Sequence, residues 1–168
     1  SKQFKNLLYA LDKLKNIKVI FTMPNSDSDG RIIQKLIINY VKKNKFKSTF
    51  FTSLGQKRYL SCLKFVDAVV GNSSSGILEA PSFKVATINI GDRQKNRIQA
   101  KTIINCKPEK NAILKAFKKI YSKKFRKSIL KIKNPYELNN NVFPSKVAVK
   151  IFKKVNLNNV LKKSFNDS

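Results

Sequence analysis

Five short apolar runs, at residues 17–23, 49–52, 67–71, 85–90 and 102–105, alternate with stretches whose apolar residues recur every three or four positions. A chain patterned this way is limited to layered α/β architectures, because short apolar strands are buried on both faces only when helices cover a parallel sheet. Phe4, Leu7, Leu8, Leu11 and Leu14 predict an opening helix, and Ile32, Ile33, Leu36, Ile37, Tyr40 and Val41 predict a second. Asp27 or Asp29 is suited to cap that second helix. A third is expected over 56–64 with Tyr59, Leu60 and Leu63 inward. A short one over 77–80 is halted near Pro81, and Pro108 with Glu109 opens another that carries Ile113, Leu114, Phe117 and Ile120. The run at 102–105 reads as an edge strand. Beyond Tyr121 the periodicity loosens into the loop NPYELNNN, then a helix over 144–155 and an Asn- and Lys-rich tail at 156–168. No repeat and no dividing linker is visible, so the expectation is one doubly wound, Rossmann-like domain over 1–155 with a trailing tail.

Charge narrows the function classes. Lys plus Arg number 36 against nine Asp plus Glu, a net +27 over 168 residues. That balance first suggests nucleic acid. Only five of the basic residues are Arg (31, 58, 93, 97 and 126), and Arg is the side chain that makes bidentate base-edge and phosphate contacts. The Lys are spread from end to end among abundant Asn, Ile and Phe, as an A+T-rich coding sequence would produce, and the expectation is no specific nucleic-acid partner. No apolar stretch reaches the roughly 18 residues of a spanning helix, so no membrane partner is expected either. The chain has no His, and Cys62 and Cys106 lie far apart, so neither a Cys/His zinc site nor a His-based triad can be built from its own residues. Buried, reduced thiols and a cytoplasmic location follow as expectations. The chain opens on an amphipathic helix already under way, as a piece of a longer protein would.

In doubly wound sheets ligands bind beyond the carboxyl ends of the strands, which brings the loops after the strands together. The loop Gly71-Asn-Ser-Ser-Ser-Gly76 lies between a strand and a helix; small residues let a ligand approach the backbone, and hydroxyls and helix N-terminal amides can donate to an anion. It lacks the Lys of a Walker motif and the spacing of a dinucleotide fingerprint. A tight turn with a Ser cap accounts for the same residues without a ligand. Glu79, one turn further, is suited to ribose hydroxyls or simply to a helix N-terminus. Arg93, Lys95 and Arg97 follow the next strand and can offset a diphosphate or form an exposed basic turn.

Taken together, VVGNSSSGILEAPSFKVATINIGDRQKNR resembles the signature stretch of the hydrolysing UDP-N-acetylglucosamine 2-epimerases, and TMPNSDSDGR is similar to the motif after that family's preceding strand. The resemblance covers roughly residues 4–117 and is specific in order and spacing. It implies the C-terminal, nucleotide-binding half of a two-domain glycosyltransferase-B architecture, with the domain's first strand and the N-terminal catalytic domain outside this chain. The hydroxyls and amides of Ser73 and Ser74 then hold the diphosphate of a UDP-sugar, with Ser75 and Gly76 also in the nucleotide site, Glu79 holds the ribose and Arg93 approaches the phosphates. Asn25 and Leu54 match positions near the nucleotide, Leu54 beside the uracil.

Family members eliminate UDP and hydrate the resulting glycal to the 2-epimer, in sialic- or legionaminic-type sugar biosynthesis. The family's carboxylates and its His lie outside this stretch, so the resemblance implies no catalytic residue here and no activity of this piece alone. It also implies no cofactor, no metal, and a possible homodimer of the full-length protein. Asn96 departs from the Gly usual at that position, which bears on Arg97; Asn tolerates the positive φ a Gly would supply. Two other classes stay open on the residues alone, a glycosyltransferase-B donor domain and a basic nucleic-acid module.

Overall fold

The computed structural model describes residues 1–24, 28–137 and 143–155. They fall into two compact units, Ser1–Pro135 and Tyr136–Ser168. The first holds α1 (Lys2–Lys13), β1 (Val19–Thr22), α2 (Ser28–Lys43), β2 (Ser48–Phe51), α3 (Gly55–Cys62) and β3 (Ala68–Gly71). It continues through α4 (Ser75–Leu78), a 3-10 turn (Ala80–Phe83), β4 (Ala86–Ile90), β5 (Ile103–Cys106), α5 (Lys110–Ile120) and α6 (Lys123–Ile129). The second unit contributes α7 (Pro144–Lys154). Among the described residues no helix is long and apolar enough to cross a membrane.

Every strand pairing is parallel, as the alternating pattern requires, but the strands form two sheets, β1-β2 and β3-β4-β5. A doubly wound order of 3-2-1-4-5-6 accommodates both, with β2 and β1 as its positions 3 and 2 and β3, β4 and β5 as 4, 5 and 6. Burial follows the same logic: all five residues of β4 are buried, all four of β3 are half-buried, and β2 is exposed after Ser48. One core nonetheless serves both sheets, running from Leu7, Ala10 and Leu11 of α1 through Phe21 and Tyr40 to Ile88, Ile113 and Phe117.

Helix α1 is the common wall, because Phe4 meets the Phe21 ring at 6.4 Å and α1 also packs against α5 and α2. Asn6 Nδ2 donates to Pro108 O at 2.8 Å, and Lys47 Nζ donates to the carbonyls of Leu11 and Leu14 at the end of α1. Phe21 meets Tyr40 edge-on at 5.7 Å.

Three departures from the sequence reading have local causes. Helix α2 starts at Ser28, so Asp29 lies within its first turn and is not the cap, while Asp27 falls outside the described residues. Helix α6 was not anticipated; Ser122 Oγ accepts from Phe125 N at 3.3 Å, and Phe125 and Ile129 are buried one turn apart. Cys62 and Cys106 are free but half-buried, not fully buried.

Tyr40 sets an alkaline limit. Its hydroxyl is buried with no hydrogen-bond partner, and its pKa lies well above the usual phenol value, first through burial and then through nearby Asp12, though no hydrogen bond of good geometry joins the two. Tyr59 and Tyr121 are raised as well, again chiefly by burial. Folded-state pKa values above the unfolded value of about 10 mean that their contribution is complete below pH ~10 and is lost as pH climbs toward the folded values. Urea melts at pH 9 and pH 11 will therefore show a stability drop that Tyr40→Phe reduces. A drop of equal size in the variant would remove Tyr40 as its source.

Candidate functional site

Strand β3 ends at Gly71, whose φ of 147° lies in a region that side-chain-bearing residues rarely adopt. The chain then turns through Asn72 and Ser73, and Ser73 Oγ accepts from Ser75 N at 3.4 Å. Ser74 precedes α4 in a helical conformation and its hydroxyl makes no cap bond. The cap that explains this loop without a ligand is thus not formed by Ser74. Helix α4 is only four residues long and already includes Ser75, so its dipole is small, and the pull on an anion falls to individual hydroxyls and amides. Glu79 does not lie inside a short helix over 77–80, where the sequence places it, because α4 ends at Leu78. It caps the C-terminal end of α4, with its N–H on Ser75 O at 3.0 Å, and leads into the 3-10 turn. Buried Asn134 donates to Leu78 O and shares a hydrogen bond with Ser82 Oγ, both at 2.7 Å, and so holds that junction.

Gly76 is set against β4. A Cβ there would lie 2.6 Å from Thr87 Cγ2, while Thr87 Oγ1 donates to Gly76 O at 2.8 Å. No larger residue fits without displacing the buried side chain of Thr87.

Tyr59 was expected only as an inward core residue. It packs against the cluster of Leu63, Ala80 and Val85, yet its hydroxyl is hydrogen-bonded to Ser75 Oγ. Burial raises its pKa most, the Ser75 bond offsets part of that, and the nearby Glu79 carboxylate raises it further. Tyr59, Ser75 and Glu79 are therefore neighbours, and Leu54, the residue ahead of α3, opens the helix that carries Tyr59. The available signal was chemical: an inward Tyr at a position that Phe would serve for packing alone implies a polar partner.

The second basic loop follows β4. Because Gly71 pairs with Asn89 across β3 and β4, the hydroxyl-rich loop and the Arg93 loop leave the same end of the same sheet. Arg93 and Arg97 are exposed, and Asn96 adopts φ 67°, the left-handed conformation expected where the family's Gly would stand. Lys95 N donates to Asp92 O at 2.7 Å to close the turn. Between the two arginines Gln94 is buried, a residue the sequence reading passed over. Asn25 lies outside the described residues. Among the described residues no group of His, Cys, Asp and Glu could hold a metal ion. A 330 Å³ groove lined by Val66, Asp67, Tyr121 and Arg126 contains none of the candidate residues.

Residues 1–142 match the family described as UDP-N-acetylglucosamine 2-epimerase. The chain is 45% identical over 166 residues to a Campylobacter jejuni protein named GDP/UDP-N,N'-diacetylbacillosamine 2-epimerase (hydrolyzing), covering 99% of this chain and 42% of the relative. It is 39% identical over 135 residues to the polysialic acid biosynthesis protein P7 of Escherichia coli, covering 80% of this chain and 34% of that protein. The chain thus spans less than half the length of either relative. In fold it is similar to the crystal structure of UDP-GlcNAc 2-epimerase from Neisseria meningitidis bound to UDP-GlcNAc, with a TM-score of 0.64 at 17% identity, over 92% of this chain and 41% of that one.

Proposed function

The chain belongs to the UDP-N-acetylglucosamine 2-epimerase family, and on that footing we propose that it forms the nucleotide-binding half of a hydrolysing nucleotide-sugar 2-epimerase. One observation carries the reading: hydroxyls of Ser73 and Ser74 and the guanidinium of Arg93 emerge from adjacent parallel strands at one sheet end, β3 and β4 being paired from Ala68 to Gly71. In this reading the Ser73–Ser74 hydroxyls and Arg93 receive the diphosphate. Glu79 receives the ribose, Leu54 flanks the base, and Asn25 is assigned near the nucleotide. When the sugar C1–O bond breaks, the leaving UDP takes up negative charge, and preoriented donors stabilise that charge more than they stabilise the bound substrate.

Removing the proton at C2 and hydrating the glycal require general acids and bases, which we assign to the part of the full-length protein beyond this chain. The first strand of the nucleotide-binding domain is assigned there too, consistent with where the two sheets part. The names of the Campylobacter and Escherichia relatives favour an N-acetylmannosamine-type sugar as the product, destined for a sialic- or legionaminic-type sugar, and we assign this step to the cytoplasm.

A calorimetric titration of the chain with UDP, GDP and a short DNA duplex tests this at about 150 mM salt, where nonspecific charge effects are damped. Saturable one-to-one binding of UDP is expected. Binding of the duplex without either nucleotide would overturn the reading in favour of a basic nucleic-acid module, whose affinity falls steeply with salt.

A further inference from the structure

Gln94 sits between Arg93 and Lys95, both exposed, yet is itself only 3% exposed. Burying a primary amide in a surface turn is costly unless its donors and acceptors are used. Its use is specific. Gln94 Nε2 donates to Asn72 O at 2.8 Å, joining the turn after β4 to the first residue of the hydroxyl-rich loop after β3. Its own main-chain carbonyl accepts from Gln99 Nε2 at 3.2 Å and lies 3.4 Å from Arg97 N, which donates to it. The bracing continues inward: Asn105 Nδ2 donates to Gln99 Oε1 at 2.8 Å, and Asn89 Nδ2 donates to Asn105 Oδ1 at 2.7 Å. Asn89, like Gln94, is buried and keeps one side-chain oxygen unpartnered.

Five amide-bearing residues, Asn72, Gln94, Gln99, Asn105 and Asn89, therefore link the carboxyl ends of three parallel strands. A packing role would be met by an apolar side chain of the same volume at lower cost, since Gln94 Oε1 is buried without a partner. The cross-loop hydrogen bond is what such a side chain could not supply.

We propose that Gln94 is a positioning residue for the diphosphate: its bond to Asn72 O holds the Ser73–Ser74 turn at a fixed distance from Arg93, so that hydroxyls and guanidinium converge on the same two phosphates. This rests on the nucleotide-binding reading above. Convergence on two phosphates is a demand of a diphosphate and not of a monophosphate. A ligand held by the base, the ribose and one phosphate feels the serine loop alone; the second phosphate also needs Arg93 in register with it.

The test compares UDP with UMP on the same chain, by titration at about 150 mM salt, in the natural sequence, Gln94→Ala and Gln94→Met. Met keeps the volume and removes both the donor and the unpartnered acceptor, so the fold survives in that variant even if the smaller one unfolds. The natural chain should prefer UDP to UMP. In Gln94→Met that preference should shrink about tenfold or more while UMP affinity stays within about twofold, with an unchanged melting temperature. An unchanged UDP-to-UMP preference in Gln94→Met, or equal losses for both ligands, would overturn the positioning role while leaving the site reading intact. If the natural chain binds neither ligand, the site reading itself fails, and the positioning role with it.

Discussion

Gly76→Ala lowers the melting temperature of the chain by several degrees, and Thr87→Ser restores most of the loss. The new Cβ would meet Thr87 Cγ2 at 2.6 Å, inside any real carbon–carbon contact, and Thr87 is only 2% exposed within β4, so it has nowhere to retreat. Overpacking of this kind costs about 1–3 kcal/mol, which for a unit of this size corresponds to roughly 4–12 °C. The second-site change removes the offending methyl and keeps the hydroxyl that donates to Gly76 O at 2.8 Å. Thermal melts of the two single variants and the double variant check this. If the double variant melts no higher than Gly76→Ala alone, the close approach to Thr87 is not what requires glycine.

Ser74→Ala produces the opposite pattern, a loss of ligand without a loss of stability. The Ser74 hydroxyl makes no cap bond in the folded chain, so its removal leaves the melting temperature within about two degrees, as for ordinary surface changes. A hydrogen bond from that hydroxyl to a charged phosphate oxygen is worth about 1.5–3 kcal/mol, or roughly 10- to 150-fold in UDP affinity. Ser75→Ala makes the informative contrast, since the Ser75 hydroxyl is engaged with Tyr59 and its loss should show in the melt. UDP affinity unchanged in Ser74→Ala would exclude that hydroxyl from the phosphate site.

The order of elements was readable because each is announced locally. Ile113, Ala116, Phe117 and Ile120 repeat at helical spacing and are all buried in α5, and the apolar run before Gly91 became the fully buried β4. Helix α6 escaped because its seven residues bury only Phe125 and Ile129, too few to set a period amid Lys and Arg. The division into two sheets escaped as well, since pairing partners are a long-range property that a strand's own sequence does not carry.

The candidate site divides in the same way. Gly71 to Gly76 and Arg93 stand out by composition alone. Gln94 and Tyr59 do not, because what marks them is a partner: Asn72, 22 positions away, and Ser75, 16 positions away. Pro81 announces that the helix after this loop is short, but not that Glu79 closes it, since the bond from Asn134 to Leu78 O comes from 56 positions away.

The seat of α1 has a mechanical consequence. A two-stranded sheet has little stability of its own, and β1-β2 gains its cover from α1 and α2 while β3-β4-β5 gains part of its cover from α5. Since α1 touches both α2 and α5, it braces two halves that share no ladder of hydrogen bonds among the described residues. Part of the coupling within this unit therefore passes through side-chain packing on one twelve-residue helix. A force that pries α1 loose would strip cover from both sheets at once.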